Sequence, residues 1–171
     1  MRTYVYADPH FSHANIIKYE ARPFADVEEM NNTIIKNHNN VITEKDKVFI
    51  LGDFALANKD KTIDLISQLK GYKILIIGNH DRRSLQFWRN AGFNEVSNHP
   101  VVINNFFILS HVPIKRDKLM CYINVHGHTH SHLLNSDRHI NVSLDVIDFK
   151  PVLLEYLYLK NYKTSFEADF K

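Results

Sequence analysis

Apolar runs of strand length and apolar stripes of helical period alternate through the first half of the chain. "TYVYA", "KVFIL", "KILII", "FFILS" and "YINVH" each gather apolar and β-favouring residues into a short block bounded by polar ones, which predicts buried strands. "HINV" and "PVLLEYLYL" are weaker strand candidates later on. Between the early blocks the period becomes that of a helix. Asp26 with Glu29 has the form of a capping box, and Val27, Met30, Ile34 and Val41 follow at helical spacing. Ile63, Ile66 and Leu69 form a second stripe closed by Gly71. Ser84 is placed to cap a third helix, with Leu85 and Trp88 facing inward and Gly92 closing it. Strands alternating with helices predict βαβ units, and the second half is richer in strands than in helices. No repeat or low-complexity linker interrupts the pattern. Residues 1–171 are therefore expected to form a single domain, long enough to bury roughly 70% of its unfolded surface.

The strand blocks end alike. "YVYA" runs into Asp8, Pro9 and His10; "VFIL" into Gly52 and Asp53; "ILII" into Gly78, Asn79, His80 and Asp81; "FILS" into His111; "INVH" into Gly127, His128, Thr129 and His130. In open α/β sheets, sites form beyond the carboxyl ends of strands, so these ends can deliver one set of metal-ligating side chains to one place. Gly52, Gly78 and Gly127 each stand directly before a candidate ligand, where the missing Cβ permits a close approach. Singly, each residue has an ordinary explanation. Asp8 or Asp53 could cap a helix, Asn79 could be a turn residue, and His111 a hydrogen-bonded core histidine. The stretch "VHGHTHSH" could be an exposed strand face or a weak adventitious metal binder. None of these explains why all the candidates follow apolar blocks. His38 and His99 read as ordinary helix and loop residues.

Composition narrows the setting. A formal net charge of +2 argues against a dedicated nucleic-acid binder, so nucleic acid is a less favoured partner that would need a local basic patch. Cys121 is the only cysteine; no internal disulfide can form, and a reducing, cytoplasmic setting is expected. The opening "MRTYVYADPH" lacks the apolar stretch of a signal peptide, and no apolar run has the length of a membrane span, so no membrane partner is expected.

Taken in order, "DPH" at residues 8–10, "GD" at 52–53, "GNHD" at 78–81, the lone His111 and "GHTH" at 127–130 resemble the motif series of the calcineurin-like metallophosphoesterase superfamily. "HFSHANIIKYEARPF" and "INVSLDVIDFKPV" resemble a compact single-domain subgroup of it. The resemblance implies an α/β fold: a two-sheet β-sandwich flanked by helices, in four layers α-β-β-α, with two metals at the strand ends. It implies that Asp8, His10 and His130 hold the first metal, that Asn79, His111 and His128 hold the second, and that Asp53 bridges them. His128 and His130 would then alternate because each serves a different metal. His126 reads as structural, and His132 as lining the site or facing solvent.

An oxygen and nitrogen donor set without thiolate suits Mn²⁺, Fe, Zn²⁺ or Ni²⁺, and the carboxylates and amide oxygen favour Mn²⁺. Two such ions ~3.5–4 Å apart can share and acidify a bridging water, whose hydroxide would attack phosphorus in line. His80 is expected to protonate the leaving oxygen or to stabilise charge building there, and Asp81 to hold the His80 ring, to cap the helix before Ser84, or both. His13 and Arg82 are candidate substrate contacts, as are Arg83, Lys115 and Arg116, each weighed against solvated surface charge. Protein Ser/Thr phosphatases of the superfamily follow Gly-Asp with a phosphate-gripping arginine and carry Gly-Asn-His-Glu, where this chain reads "GDFALAN" and "GNHD". That difference favours a phosphodiesterase acting on a small diester or nucleotide-type substrate. A phosphomonoesterase or a nuclease would use the same site. A scaffold without activity is disfavoured, because every ligand and His80 are present.

Overall fold

The computed structural model describes residues 1–159; residues 160–171, which the single-domain expectation includes, lie outside the described residues. Strands β1 (Thr3–Tyr6), β2 (Lys47–Ile50), β3 (Tyr72–Ile76) and β4 (Glu95–Ser97) run parallel, and β9 (Val152–Leu153) adds antiparallel to β1, giving the order β4-β3-β2-β1-β9. A second sheet has the order β5-β6-β7-β8, from Val101–Ile103, Phe107–Ser110, Ile123–His126 and His139–Asn141, with β5 antiparallel and the rest parallel. The chain is thus two mixed sheets with flanking helices.

Alternation along the strands builds two apolar layers. Val5, Phe49, Leu51, Ile74 and Ile76 of the first sheet meet Phe107, Leu109, Ile123 and Val125 of the second. Tyr4, Tyr6, Val48, Ile50 and Leu75 face the other way. They pack against Ile16 of α1 (Ala14–Tyr19), Met30 and Ile34 of α2 (Val27–Val41), Leu65 and Ile66 of α3 (Lys59–Ser67) and Trp88 of α4 (Leu85–Asn90). The expected caps are in place. Asp26 accepts the Glu28 and Glu29 N–H groups, and Ser84 accepts the Phe87 N–H at 3.1 Å.

Two sequence expectations are corrected. The buried stripe of α2 runs through Met30, Ile34 and His38, whereas Val41 is 37% exposed at the helix end. Only Val152–Leu153 of "PVLLEYLYL" is a strand, and residues 154–159 are helical. Leu154 and Leu157 are buried there while Tyr156, Tyr158 and Leu159 are exposed, a spacing of three that suits a helix and not an alternating strand.

His38 shows what burial does to an imidazole without a charged partner. Its Nε2 faces the Lys70 carbonyl at 2.9 Å and so carries the proton, leaving Nδ1 to accept from the Tyr6 hydroxyl at 3.2 Å. Burial pushes its pKa down to about 4. A depressed folded-state value contributes stability that is complete above the unfolded value near 6.5 and is lost as pH falls toward 4. The difference amounts to roughly 3 kcal/mol. Urea unfolding of metal-free protein checks this: the stability advantage of wild type over His38→Gln narrows as pH drops from about 7 to about 4. An advantage independent of pH would refute the assignment.

Candidate metal centre

The carboxyl ends of β1, β2, β3, β6 and β7 meet at one end of the sandwich. Backbone bonds zip the first two loops together: Asp8 N–H donates to Gly52 O at 3.2 Å, His10 N–H to Asp53 O at 3.0 Å, and Phe11 N–H to Phe54 O at 2.9 Å. The loops approach so closely that a Cβ at Gly78 would overlap the Asp53 carboxylate, and one at Gly127 would overlap Asp8. Asp8, His10, Asp53, His128 and His130 all take positive φ, between 48° and 68°. Non-glycine residues adopt that conformation at a cost of about 1–3 kcal/mol each, which the surrounding bonds must hold in place.

Two donor groups result. Asp8, His10 and His130 offer ligand atoms within 4.8 Å of one another, and so do Asp53, His111 and His128. Asn79 joins the second group, its Oδ1 lying 2.8 Å from His111 Nε2. Asp53 stands between the groups, with Oδ2 3.5 Å from His10 Nε2 and 3.5 Å from His111 Nε2. The seven residues that the motif series singled out are therefore brought together. A third group, Glu20, His130 and Asp145, shares His130 with the first.

The hydrogen bonds and charges of this cluster fit divalent cations. His111 Nδ1 faces the Leu51 carbonyl at 2.8 Å and must donate there, so Nε2 turns its lone pair toward Asn79 Oδ1 and Asp53 Oδ2. His130 Nδ1 donates to Asp145 Oδ2 at 2.9 Å, which leaves its Nε2 lone pair for a ligand. Asp8 Oδ2 accepts from Ser143 Oγ at 2.6 Å and from His128 N–H at 2.8 Å, whereas Asp8 Oδ1 and His10 Nε2 are buried with no hydrogen-bond partner. Burial pushes the Asp8 carboxyl up to about 7, and burial beside His130 and Arg22 pushes His10 down to about 2. Burial lowers His111 as well, so unprotonated ring nitrogens converge with the Asp8 and Asp53 carboxylates, a donor set that fits a divalent cation.

The remaining sequence candidates divide. His80 donates its N–H to Asp53 Oδ1 at 2.8 Å, and its exposed ring lies 5.5 Å from that of His10. His13 Nδ1 lies 3.3 Å from His10 Nδ1. Arg82 is exposed and makes no ion pair or side-chain hydrogen bond among the described residues. Arg83 is committed elsewhere, over the Phe87 ring at 4.7 Å and donating to Ala57 O at 3.0 Å. Arg116 pairs with Asp137 at 3.0 Å, while Lys115 is exposed and its side chain makes no bond to the 3₁₀ turn Arg116–Lys118 that it precedes. His126 is fully buried, its Nδ1 donating to Gly127 O at 2.8 Å, and His132 is exposed.

Asp81 is a correction. Its carboxylate accepts the N–H groups of Asp53 at 2.8 Å, Phe54 at 2.9 Å and Gly78 at 2.9 Å, and it makes no bond to the His80 ring. Nor does it cap α4, which Ser84 does. The turn folds Asp81 back beneath its own loop, where it ties the β2 loop to the β3 loop. Burial pushes its carboxyl up to about 6, against three N–H bonds that favour the charged form.

Sequence reasoning missed Arg22 and Asp145. Arg22 is buried and donates twice to Asp145, at 2.8 and 3.1 Å, and also to the carbonyls of Asp8 at 2.8 Å and Pro9 at 3.0 Å. The pair thus braces the first loop from behind while Asp145 orients His130. Burial and the Asp145 bond act oppositely on His130, and with the Asp8 charge added the net effect raises it. Loss of such an outer partner weakens metal affinity by roughly 10–100-fold. Asp145→Asn, which keeps the shape, is expected to weaken one Mn²⁺ site on that scale and spare the other. Calorimetric titration distinguishes that from equal weakening of both, which would contradict it.

Comparison with known proteins agrees with this geometry. The sequence profile of the calcineurin-like phosphoesterases matches residues 1–165. "Uncharacterized protein MJ1445" of Methanocaldococcus jannaschii is 41% identical over 167 residues, covering 91% of this chain and 89% of its own length. The crystal structure of protein AQ665 from Aquifex aeolicus, of unknown function, is similar at a TM-score of 0.73 and 25% identity, over 91% of this chain and 97% of that one. The Pseudomonas putida nuclease MPE shares the fold at a TM-score of 0.53 and 23% identity, over 75% of this chain and 62% of its own. Among the described residues, no helix is long and apolar enough to cross a membrane.

Proposed function

Because the chain belongs to the calcineurin-like phosphoesterase family, whose members hydrolyse phosphoric esters, we propose that it is a two-metal phosphodiesterase acting on a small diester or nucleotide-type substrate. Asp8, His10 and His130 would hold one ion and Asn79, His111 and His128 the other, with Asp53 common to both. Mn²⁺ suits the carboxylate, amide and imidazole set best. When bound, such ions neutralise charge on the phosphoryl oxygens and activate the attacking water.

The chain's own groups then do the rest. With His10 Nε2 turned to the ion, His10 Nδ1 carries the proton and donates to His13 Nδ1. His13 Nε2 would then carry the proton and could donate it in a hydrogen bond to substrate. His80, held through its backbone N–H by Asp53, is free at its ring to give a proton to the departing alkoxide. The Asp81 brace fixes the two loops that carry Asp53 and His80 relative to each other.

The observation that carries the diester reading is the fate of the cations. Arg22 is spent on Asp145 and two carbonyls, Arg83 on Phe87 and Ala57, and Arg116 on Asp137. A monoester brings about one more negative charge at neutral pH and benefits from a free cation at its third oxygen. Arg82 and Lys115 are the candidate cations that stay exposed and unpaired among the described residues, so the diester reading requires that neither reaches the phosphate. With Mn²⁺, bis-(p-nitrophenyl) phosphate is therefore expected to be hydrolysed with higher kcat/KM than p-nitrophenyl phosphate. A clear monoester preference that Arg82→Ala abolishes would overturn this reading. The nuclease reading draws on the Pseudomonas putida enzyme of the same fold. It would require turnover of single-stranded oligonucleotides that falls steeply with salt.

A further inference from the structure

A cleft of about 370 Å³ opens beside the second donor group and shares Asn79 and His111 with it. Its walls are apolar, from Ile77, Pro100 and Val112, and His99 stands among its lining residues. Val112 is 51% exposed although it directly follows the ligand candidate His111. Serine side chains shape both rims. Ser97 Oγ donates to His99 O at 2.8 Å and accepts the His99 N–H at 3.1 Å. Across the cleft Ser110 Oγ donates to Val112 O at 2.8 Å and accepts from Asn124 Nδ2 at 2.9 Å. Pro100 adds a stiff backbone. An open apolar wall beside the donor groups, its rims shaped by these bonds, offers a surface for a ring.

Its position relative to the proton donor gives it a task. His80 and His13 lie with His10 of the first donor group, with ring centroids 5.5 Å and 5.3 Å from that of His10, and neither lines the cleft. The departing alcohol belongs beside His80, where its proton comes from. The ester group that stays on phosphorus is left the other side, past Asn79 and His111. We propose that this cleft receives the retained substituent of a diester, and that the substituent it fits is a heteroaromatic ring of the nucleobase kind. Apolar faces against Pro100 and Val112 and a polar edge against His99 match such a ring, and a sugar alone would leave the wall unsatisfied. The proposal rests on the diesterase reading.

Two substrates with the same leaving group test it: thymidine 5′-(p-nitrophenyl phosphate) and methyl p-nitrophenyl phosphate, each assayed with Mn²⁺ by p-nitrophenolate release. Only the retained group differs. Covering one face of a base on this apolar wall removes enough apolar surface from water that kcat/KM for the thymidine ester should exceed that for the methyl ester by roughly tenfold. Val112→Gln, an exposed position that tolerates the change, should bring the ratio toward one. A wild-type ratio near one, or a ratio that survives Val112→Gln, overturns the cleft proposal while leaving the diesterase reading standing. Turnover of neither ester overturns the diesterase reading and this proposal with it.

Discussion

Replacing Asp53 by alanine is expected to lower kcat/KM by roughly 10⁴-fold or more, the scale on which groups acting as one catalytic unit fail together, and to strip metal from both positions. The argument is geometric. One carboxylate oxygen stands 3.5 Å from a ligand nitrogen of each donor group, and the other holds the His80 N–H at 2.8 Å. Among the described residues, the other close approach between the groups, Asp8 Oδ1 to His111 at 3.7 Å, is to Nδ1, the nitrogen that donates to Leu51 O. His10→Ala, by contrast, should mainly weaken the first ion. Burial raises the Asp8 carboxyl and the Asp53 charge adds to it, so removing Asp53 relieves part of the repulsion between the two carboxylates in the metal-free protein. If the variant keeps one full equivalent of metal, the bridging role is wrong.

His80→Ala is expected to reduce kcat by about 10²–10⁴-fold while metal content stays near wild type. The His80 ring is exposed and belongs to neither donor group, so its loss leaves every ligand in place. The loss should depend on the leaving group. A p-nitrophenolate departs with little help from an acid, so activated aryl esters fall at the low end. An alkyl or nucleoside alkoxide needs the proton, so its esters fall at the high end. A loss equal for both kinds of ester, or one accompanied by loss of metal, would show that His80 is not the acid.

The candidate ligands were legible because their placement is local. Each of Asp8, Asp53, Asn79, His111 and His128 stands within a residue or two of an apolar block, so a strand reading already puts it at a sheet end. Close packing at Gly78 and Gly127 was legible for the same reason. Arg22 and Asp145 were not, because 123 residues separate them and only the tertiary fold pairs them. Both lie in stretches that resembled the compact subgroup, yet nothing in hydropathy or spacing marks an arginine that turns inward to a distant carboxylate. Asp81 was misread because adjacency to His80 in the chain suggested a contact that the turn at Gly78 redirects to backbone N–H groups. Strands β4 and β5 have three residues each with mixed burial, too short for a period to declare itself. The cleft by Val112 is built from loops at two sheets, and no run of residues encodes it.

The account stands on two ions per chain held by seven residues at five strand ends. Elemental analysis of protein loaded with Mn²⁺ and then desalted tests it directly. Two equivalents per chain, falling toward none in Asp53→Ala, is the expected result. A stoichiometry fixed at one or below in the wild type would contradict it.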